Sequence, residues 1–237
     1  MPTDHTQRTA LLAGATGLVG RELLQLLLAD PRYSAVHCVG RRAPAVQHTK
    51  LVTHVVDFVN NTKLAAQLSA LPVCDDVYIA LGTTIKVAGS QAAFKAIDYD
   101  AVVAIAQANM AQAATNKIAT DYRLGVVSAM GADTASSVFY NCTKGQMEAT
   151  VSGLGYASLS IARPSLLAGD RAALQQTARP AEQWGLKLMS AVSFLIPANY
   201  QAIQAADVAQ ALHCMVTAGH SGTRIALSGQ LHDLAKV

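Results

Sequence analysis

The feature of this 237-residue chain that most constrains its fold is the alternation of short apolar runs with longer segments of helical pattern. The short runs are rich in Val, Ile and Leu without polar alternation, which is typical of strands buried on both faces of a parallel sheet. Strands are predicted at residues 9–13, 35–39, 51–56, 77–80, 124–127 and 159–161, and helices at residues 18–29, 91–114 and 140–152. The alternation predicts an α/β fold with a doubly wound, mainly parallel sheet and helices on both faces.

The pattern changes after Pro164. The segment that follows is rich in loop residues, and helical pattern returns at residues 181–195 and 202–216. No internal repeat or low-complexity linker divides the sequence. We therefore expect one domain over residues 1–237, in which a small C-terminal lobe from about residue 164 builds the substrate side of a cleft.

Composition narrows the classes of protein to which the chain can belong. Hydrophobic residues make up 51% of the sequence and charged residues 14%, which is sufficient for one well-buried core. A net charge of +3, the lack of long Lys or Arg runs and an aromatic content of 5% argue against a nucleic acid partner. The four cysteines form no CxxC pair and the seven histidines are scattered, so no metal site is expected.

The N-terminal segment, MPTDHTQR, is polar and lacks the apolar core of a secretory signal. The longest apolar stretches, LLQLLLA and LMSAVSFLIPA, are too short to span a bilayer. We therefore expect no membrane association and a cytoplasmic location.

A glycine-rich turn, GATGLVG, joins the first predicted strand to the first predicted helix. Gly14, Gly17 and Gly20 have the spacing GxxGxxG. The first glycine allows a tight turn, the second lets backbone N–H groups approach a pyrophosphate, and the third lets the helix pack closely. The positive end of the helix then points at the phosphates. The arrangement favours a dinucleotide site, and the alternative is a glycine-rich turn without a ligand.

Two arginines, Arg41 and Arg42, follow the second predicted strand, where dinucleotide-binding folds usually place an acidic residue. A carboxylate there suits the free ribose 2′-hydroxyl of NAD, whereas the planar fork of a guanidinium matches the 2′-phosphate of NADP. The arginines therefore predict NADP(H) as the cofactor, with a solvated basic loop as the alternative. Asp57, after the third strand, can accept a hydrogen bond from the adenine amino group or simply cap a loop.

Tyr140 and Lys144 form a YxxxK pair in the segment FYNCTKG. Residues i and i+4 share a helix face, so the phenol and the ammonium can point into one cleft. An ammonium, together with the positive charge of an oxidised nicotinamide, favours the phenolate, which brings a group that normally ionises near pH ~10 toward the working range. Ser128 ends the fifth predicted strand and can orient a substrate oxygen, unless it is tied to local backbone. The three residues predict hydride transfer with Tyr140 as the proton carrier. No GxSxG or GKS/GKT motif offers a competing chemistry.

With these motifs the chain resembles the short-chain dehydrogenase/reductase superfamily. The dipeptide Arg163-Pro164, in IARPSLLAGDR, resembles the sequence of its extended and atypical branches at this place. More narrowly, VGRR, LGTTIKVAGSQAAFKAIDYD, VSAMGAD, FYNCTKGQME and RPSLLAGDR resemble the Tat-interacting, NADPH-binding oxidoreductase-like proteins and their bacterial relatives. The resemblance covers most of the chain up to about Tyr200. It implies a Rossmann fold that binds NADP(H), with Ser128, Tyr140 and Lys144 as the catalytic triad.

The resemblance also implies a set of cofactor-binding residues. They are Gly14, Thr16, Gly17, Leu18 and Val19 along the pyrophosphate, Arg41 and Arg42 at the 2′-phosphate, Asp57 at the adenine, and Leu81, Gly82 and Thr83 along the ribose and nicotinamide, with Lys144 on the nicotinamide ribose. The fourth helper residue of the superfamily, an Asn on the helix before the fifth strand, has no secure match here. Asp98 and Asn109 are the residues nearest to that place in the sequence.

Three functions agree with these residues. The leading one is an NADP(H)-dependent oxidoreductase that acts on a small carbonyl or alcohol. A nucleotide-sugar epimerase or dehydratase uses the same triad and retains its cofactor, although the C-terminal segment is short for a nucleotide-sugar pocket. A regulator that senses NADPH and binds a protein partner is the third; the apolar segment GLKLMSAVSFLIP could form a partner or homodimer surface, or line the pocket or the core.

Overall fold

Strands of one parallel sheet form the centre of the protein. The structure is a computed structural model that describes residues 7–58, 61–116, 121–168 and 197–236. Within these ranges the strands are β1 (Arg8–Ala13), β2 (Tyr33–Gly40), β3 (Leu51–Val55), β4 (Asp76–Ile79), β5 (Arg123–Val127), β6 (Ser158–Arg163), β7 (Leu167–Ala168), β8 (Ile203–Gln204) and β9 (Gly222–Leu227). Seven of these described strands form the main sheet, in the order β3-β2-β1-β4-β5-β6-β9, and all neighbours are parallel.

Helices cover both faces of this sheet. They are α1 (Leu18–Ala29), α2 (Asn61–Ser69), α3 (Ile85–Ala88), α4 (Gln91–Lys95), α5 (Val102–Asn116), α6 (Phe139–Ser152), α7 (Ala205–Ala218) and α8 (Ser228–Leu234), with a π-helical turn at Ala96–Ala101 and a 3-10 turn at Ala198–Tyr200. The sheet with its flanking helices confirms the predicted doubly wound α/β fold. Strand order reverses between β1 and β4, and ligands of such sheets bind at the carboxyl ends of the strands at this point.

Two apolar clusters, one on each face of the sheet, form the core. On one face Leu23 and Leu27 of α1 pack with Leu212 of α7. On the other, Ile105 of α5 and Met147 of α6 pack against the central strands. Burial of apolar surface on both faces explains the continuous Val, Ile and Leu runs of the strands.

The predicted helix at residues 91–114 differs from the structure. It is divided into α4, the π-helical turn and α5. A π turn adds one residue to a helical turn, and such turns often occur at functional sites. Asp98 lies within this turn and is fully buried. Hydrophobic periodicity does not reveal an insertion of one residue, so the sequence predicts one continuous helix.

The tail also differs from the expected lobe. Helix α7 packs against α1, and β9 pairs with β6, so this part of the tail completes the main domain. Strand β9 was not predicted because its apolar run, residues 225–227, is short and follows polar residues, and four of its six residues are exposed. Strands β7 and β8 pair apart from the main sheet. The helix predicted at residues 181–195, and all of the segment GLKLMSAVSFLIP but its last residue, lie outside the described residues.

No helix in the described ranges combines the length and the apolar character that a bilayer crossing requires. The same part of the chain contains no group of three or more His, Cys, Asp or Glu side chains placed to hold a metal ion.

A pair of stacked histidines makes the stability of the fold depend on pH. Ring nitrogens of His37 on β2 and His54 on β3 lie 3.0 Å apart, with ring centroids separated by 5.3 Å. Burial lowers the pKa of both below the usual 6.5, and at His37 the neighbouring His54 lowers it further. The unfolded chain therefore binds protons here more readily than the folded chain. We expect the free energy of unfolding to decrease as the pH falls below about 6.5.

Urea denaturation of the wild type and His54→Gln between about pH 5 and pH 8 measures this effect. The wild type should lose stability more steeply on acidification than the variant. His48→Gln, at an exposed histidine, should follow the wild type. Parallel curves for the wild type and His54→Gln would show that the pair contributes nothing to the pH dependence.

Candidate active site

The glycine turn after β1 is packed tightly against the first turn of α1. Gly14 has a φ of +90°, and a Cβ there would lie 2.6 Å from the carbonyl oxygen of Ala80. A Cβ at Gly20 would lie 1.9 Å from the carbonyl oxygen of Gly14. Only glycine fits at either position, because these atoms belong to the backbone and cannot move aside. The turn therefore runs close to the end of β4, at the carboxyl edge of the sheet.

Helix α1 begins at Leu18 without a capping side chain from the described residues. Gly17 is its N-cap, and its first turn contains no acidic residue. The first amides of such a helix lack partners within the helix, and they carry its positive dipole end. Val19 is buried in the core, so it can face a ligand only through its backbone. Thr16 is exposed on the turn.

Arg41 and Arg42 lie on the surface directly after β2. Neither forms an ion pair with any residue that the structure describes. Asp57 lies two residues beyond β3, and its N–H donates to Gln67 Oε1 at 3.0 Å. Since β2 and β3 are parallel neighbours, all three residues lie at the same edge of the sheet as the glycine turn.

The loop after β4 is connected to the π-helical turn by Asp98. The Thr83 N–H donates to Asp98 Oδ2 at 2.9 Å. A Cβ at Gly82 would lie 3.6 Å from Asp98 Oδ1, so this carboxylate lies directly against the loop. Leu81, Gly82 and Thr83 are thus placed at the strand reversal, next to Asp98, one of the two residues that the sequence places near the fourth helper position.

Lys144 on α6 contacts the same carboxylate. Its Nζ lies 2.7 Å from Asp98 Oδ1, with only 3% and 1% of the two side chains exposed. The contact is a buried ion pair. Burial raises the pKa of Asp98, while the Lys144 charge opposes that shift. Asn109 is not part of this group, because its amide binds the backbone N–H and C=O of Cys74 at 2.9 and 3.0 Å.

Tyr140 lies one helical turn before Lys144, with its ring centroid 5.4 Å from that of Phe94 on α4. Burial raises the pKa of Tyr140 to about 12, and the negative charge of Asp98 adds to this shift. The phenol is therefore protonated at neutral pH in the ligand-free protein. The expectation that Lys144 and the positive charge of an oxidised nicotinamide together bring the phenol toward the working range concerns the cofactor-bound protein and stays a prediction.

Ser128 directly follows β5. Its N–H donates to the carbonyl of Ala162 at 2.8 Å, which extends the pairing of β5 with β6 by one residue. Its Oγ is buried and has no hydrogen-bond partner among the described residues. A buried hydroxyl without a partner costs about 1–3 kcal/mol, and a ligand oxygen at this position would remove that cost.

Glu148 anchors the helix that carries the candidate catalytic residues, and it was not identified from the sequence. It lies one turn after Lys144 on α6, and Arg163 at the end of β6 donates to both of its carboxylate oxygens. The pair joins α6 to the sheet and so fixes the helix that carries Tyr140 and Lys144. The i+4 spacing from Lys144 and the nearby Arg163 were the available signals for this contact.

The chain is similar in sequence to curated fungal proteins whose names describe them as mitochondrial. The fmp52 protein of Aspergillus fumigatus is 37% identical over 176 residues, which cover 72% of this chain and 70% of that protein. The FMP52 protein of Candida albicans is 30% identical over 164 residues, 69% of each chain. The cytoplasmic location expected above is therefore wrong. A missing secretory core does not bear on mitochondrial targeting, since transit peptides are amphipathic rather than apolar. No protein-family model matches the chain.

The fold is similar to that of several solved dehydrogenase and epimerase structures. An aldohexose dehydrogenase from Thermoplasma acidophilum has a TM-score of 0.71 with 14% identity, covering 97% of this chain and 95% of that one. A short chain dehydrogenase from Leptospira borgpetersenii with bound NAD+ has a TM-score of 0.69 with 10% identity, covering 98% and 96%. A heptose epimerase from Helicobacter pylori has a TM-score of 0.66 with 16% identity, covering 98% and 82%. At these identities the likeness shows the fold alone. By its curated relatives the chain belongs to the fmp52 family, and its sheet has the fold of the short-chain dehydrogenases/reductases.

Proposed function

We propose that the protein is an NADP(H)-dependent oxidoreductase that transfers a hydride to or from a small carbonyl or alcohol substrate. The observation that carries this proposal is the buried, unpartnered hydroxyl of Ser128, which no described residue satisfies. It lies at the carboxyl edge of the sheet, directly after β5, and the chain continues from there to Tyr140 and Lys144 on α6. The neighbouring strand, β4, leads to Asp98, the partner of Lys144. A hydroxyl kept free in such a place fits the binding of a substrate oxygen.

The residues at the carboxyl edge fit a dinucleotide. Close packing at Gly14 and Gly20 leaves a turn that only glycine can form, and the first amides of α1 are without a capping side chain from the described residues. In this proposal Gly14, Thr16, Gly17, Leu18 and Val19 hold the pyrophosphate, Arg41 and Arg42 the 2′-phosphate, Asp57 the adenine, and Leu81, Gly82, Thr83 and Lys144 the nicotinamide ribose. When bound, NADPH supplies the hydride and NADP+ accepts it.

The catalytic work of the chain itself is proton transfer and orientation. Ser128 donates a hydrogen bond to the substrate oxygen and fixes its position. Tyr140 gives a proton to that oxygen in reduction and takes it back in oxidation. The positive charge of Lys144 stabilises the phenolate that remains. Membership of the Tat-interacting, NADPH-binding group agrees with this assignment and stays a prediction. Binding of a protein partner or formation of a homodimer also stays a prediction.

Turnover of NADPH with a panel of aldehydes, ketones and quinones tests this function. We expect oxidation of NADPH with at least one member of the panel, and a slower rate for Ser128→Ala. Interconversion of UDP- or dTDP-sugars without net cofactor consumption would instead establish the epimerase alternative. Tight NADPH binding without any turnover would establish the regulator.

The preference for NADPH over NADH depends on the two surface arginines. We expect the double variant Arg41→Ala/Arg42→Ala to bind NADPH at least about tenfold more weakly, because charge-assisted hydrogen bonds to a phosphate contribute about 1.5–3 kcal/mol. Its affinity for NADH should not change. Isothermal titration calorimetry measures both, with Arg224→Ala, an exposed arginine on β9, as the matched control. Equal or tighter binding of NADH by the wild type would refute the assignment.

A further inference from the structure

The last residues of β6 hold the segment that contains Ser128. The carbonyl of Ala162 accepts the N–H of Ser128 at 2.8 Å, and the carbonyl of Pro164 accepts the N–H of Met130 at 2.9 Å. These two contacts fasten the chain that leaves β5 to the end of β6. The backbone on either side of Arg163 therefore sets the position of Ser128.

The side chain of Arg163 makes a second connection, to Glu148 on α6. Its Nε donates to Glu148 Oε1 and Oε2 at 3.0 and 3.2 Å, and a terminal nitrogen also donates to Oε2. Only 24% of the Arg163 side chain and 6% of the Glu148 side chain are exposed. A planar guanidinium that engages both oxygens of a carboxylate fixes direction as well as distance.

Glu148 lies on the same continuous helix as Tyr140. The two residues are eight positions apart on α6, which corresponds to about 12 Å of rigid helix. A change in the position of Glu148 therefore moves Tyr140 as well. The helix also packs on the loop that follows Ser128, since a Cβ at Gly145 would lie 2.3 Å from the carbonyl carbon of Asp133.

We propose that Arg163 is a positioning residue that holds the hydroxyls of Ser128 and Tyr140 at the separation that one substrate oxygen requires. The inference rests on the proposed function, in which both hydroxyls bind that oxygen. Arg163 fixes Ser128 through its backbone neighbours and fixes α6 through Glu148. It touches neither substrate nor cofactor. A misplacement of catalytic groups by about 1 Å can lower the rate by roughly 10²-fold.

Loss of Arg163 has a direct physical consequence at α6. Within the described ranges Arg163 is the ion-pair partner of Glu148, whereas Lys144, one turn earlier on the helix, is paired with Asp98. Without Arg163 the buried carboxylate of Glu148 has no cation beside it, and it gains hydration if α6 moves away from the sheet. Such a movement changes the distance between Tyr140 and the end of β5.

A double-mutant cycle on kcat, with a substrate from the panel, tests the proposal. Arg163→Ala should lower kcat by at least about tenfold in the wild-type background. In the Ser128→Ala background the same substitution should cost less than about threefold, because no Ser128 hydroxyl is left to misalign. Arg163→Lys keeps the charge without the planar fork, so its kcat should lie between those of Arg163→Ala and the wild type. Equal losses in the two backgrounds would overturn the proposal.

Asp76→Asn is the matched control for loss of stability. It breaks a buried ion pair with Arg8 at the amino edge of the sheet, so it should destabilise the fold and leave kcat unchanged. If its kcat falls as far as that of Arg163→Ala, a general loss of stability explains the effect and the proposal is wrong. If Arg163→Ala does not fold, Glu148→Gln breaks the same ion pair with a side chain of the same size and replaces it in the cycle.

Amide hydrogen exchange in the ligand-free protein gives a readout that needs no substrate. In Arg163→Ala, the amides of Met130 and of Cys142, near the start of α6, should exchange faster. Their acceleration should exceed that of the Ala80 amide, which is bound to β1 in the centre of the sheet, by at least about tenfold.

The exchange data separate the failure of this proposal from the failure of the proposed function. Exchange at Met130 and Cys142 that changes no more than at Ala80 would overturn the role of Arg163, whether or not a substrate is found. Faster exchange at both amides, together with a wild type that oxidises no NADPH, would support the role of Arg163 in holding the two segments and count against the proposed oxidoreductase.

Discussion

Replacement of Tyr140 by Phe is expected to lower kcat by at least about a hundredfold, because general acid–base catalysis of this kind contributes roughly 10²–10⁴ in rate. The substitution removes only the hydroxyl. The ring contact with Phe94 is retained, so the fold and the affinity for NADPH should not change. Steady-state kinetics with a substrate from the panel, together with calorimetry for NADPH, measures the two effects separately.

Tyr122→Phe is the matched control for this variant. Tyr122 is buried just before β5, at the opposite edge of the sheet from the site, and its substitution should leave kcat unchanged. Wild-type turnover by Tyr140→Phe would remove Tyr140 from the proton-transfer step. Loss of NADPH binding in the same variant would mean that Tyr140 holds the cofactor rather than the proton.

Replacement of Asp76 by Asn is expected to destabilise the protein by about 3 kcal/mol, the typical cost of breaking a buried ion pair by removing one partner. Asp76 begins β4, with 1% of its side chain exposed. It accepts hydrogen bonds from Arg8 at 2.7 and 3.1 Å and from the Tyr33 hydroxyl at 2.7 Å. Arg123 lies 3.8 Å away. The neutral variant leaves these donors with a weaker acceptor and an uncompensated charge.

Urea denaturation at neutral pH measures this loss. Asp233→Asn, which removes an exposed partner of Lys236, should change the free energy of unfolding by less than about 0.5 kcal/mol. If Asp76→Asn lowers the free energy of unfolding no more than Asp233→Asn does, the contacts of Asp76 with Arg8 and Tyr33 add nothing to stability. Tyr140 and Asp76 lie at opposite edges of the sheet, so activity and stability can be changed independently.

The parts of the fold that follow from the sequence are those with a continuous apolar signal. The six predicted strands lie within the observed ones to one or two residues, and residues 18–29 form α1 as predicted. Strand β9 is largely exposed and helix α2 is rich in polar residues. Their hydrophobic patterns therefore resemble those of loops, and neither element was predicted. Local patterns also do not reveal long-range pairing, which is why α7 and β9 were expected in the small C-terminal lobe of the domain rather than in its main sheet and core.

The candidate site divides in a similar way. Tyr140 and Lys144 are identified by their spacing on one helix, and Ser128 by its place after a strand. The role of Asp98 depends on a π turn and on contacts with Thr83 and Lys144, which come from three different segments. Contacts between distant segments leave no pattern in the sequence. Only the folded structure therefore shows that Asp98 contacts Lys144, whereas Asn109 binds the backbone of Cys74.

The most direct test of the central claim is a crystal structure of the protein with bound NADPH. We expect the 2′-phosphate at hydrogen-bond distance from Arg41 and Arg42, the pyrophosphate at the first turn of α1, and the nicotinamide ring facing the hydroxyls of Tyr140 and Ser128. NADPH bound elsewhere, or a Tyr140 hydroxyl turned to bulk solvent in the complex, would contradict it.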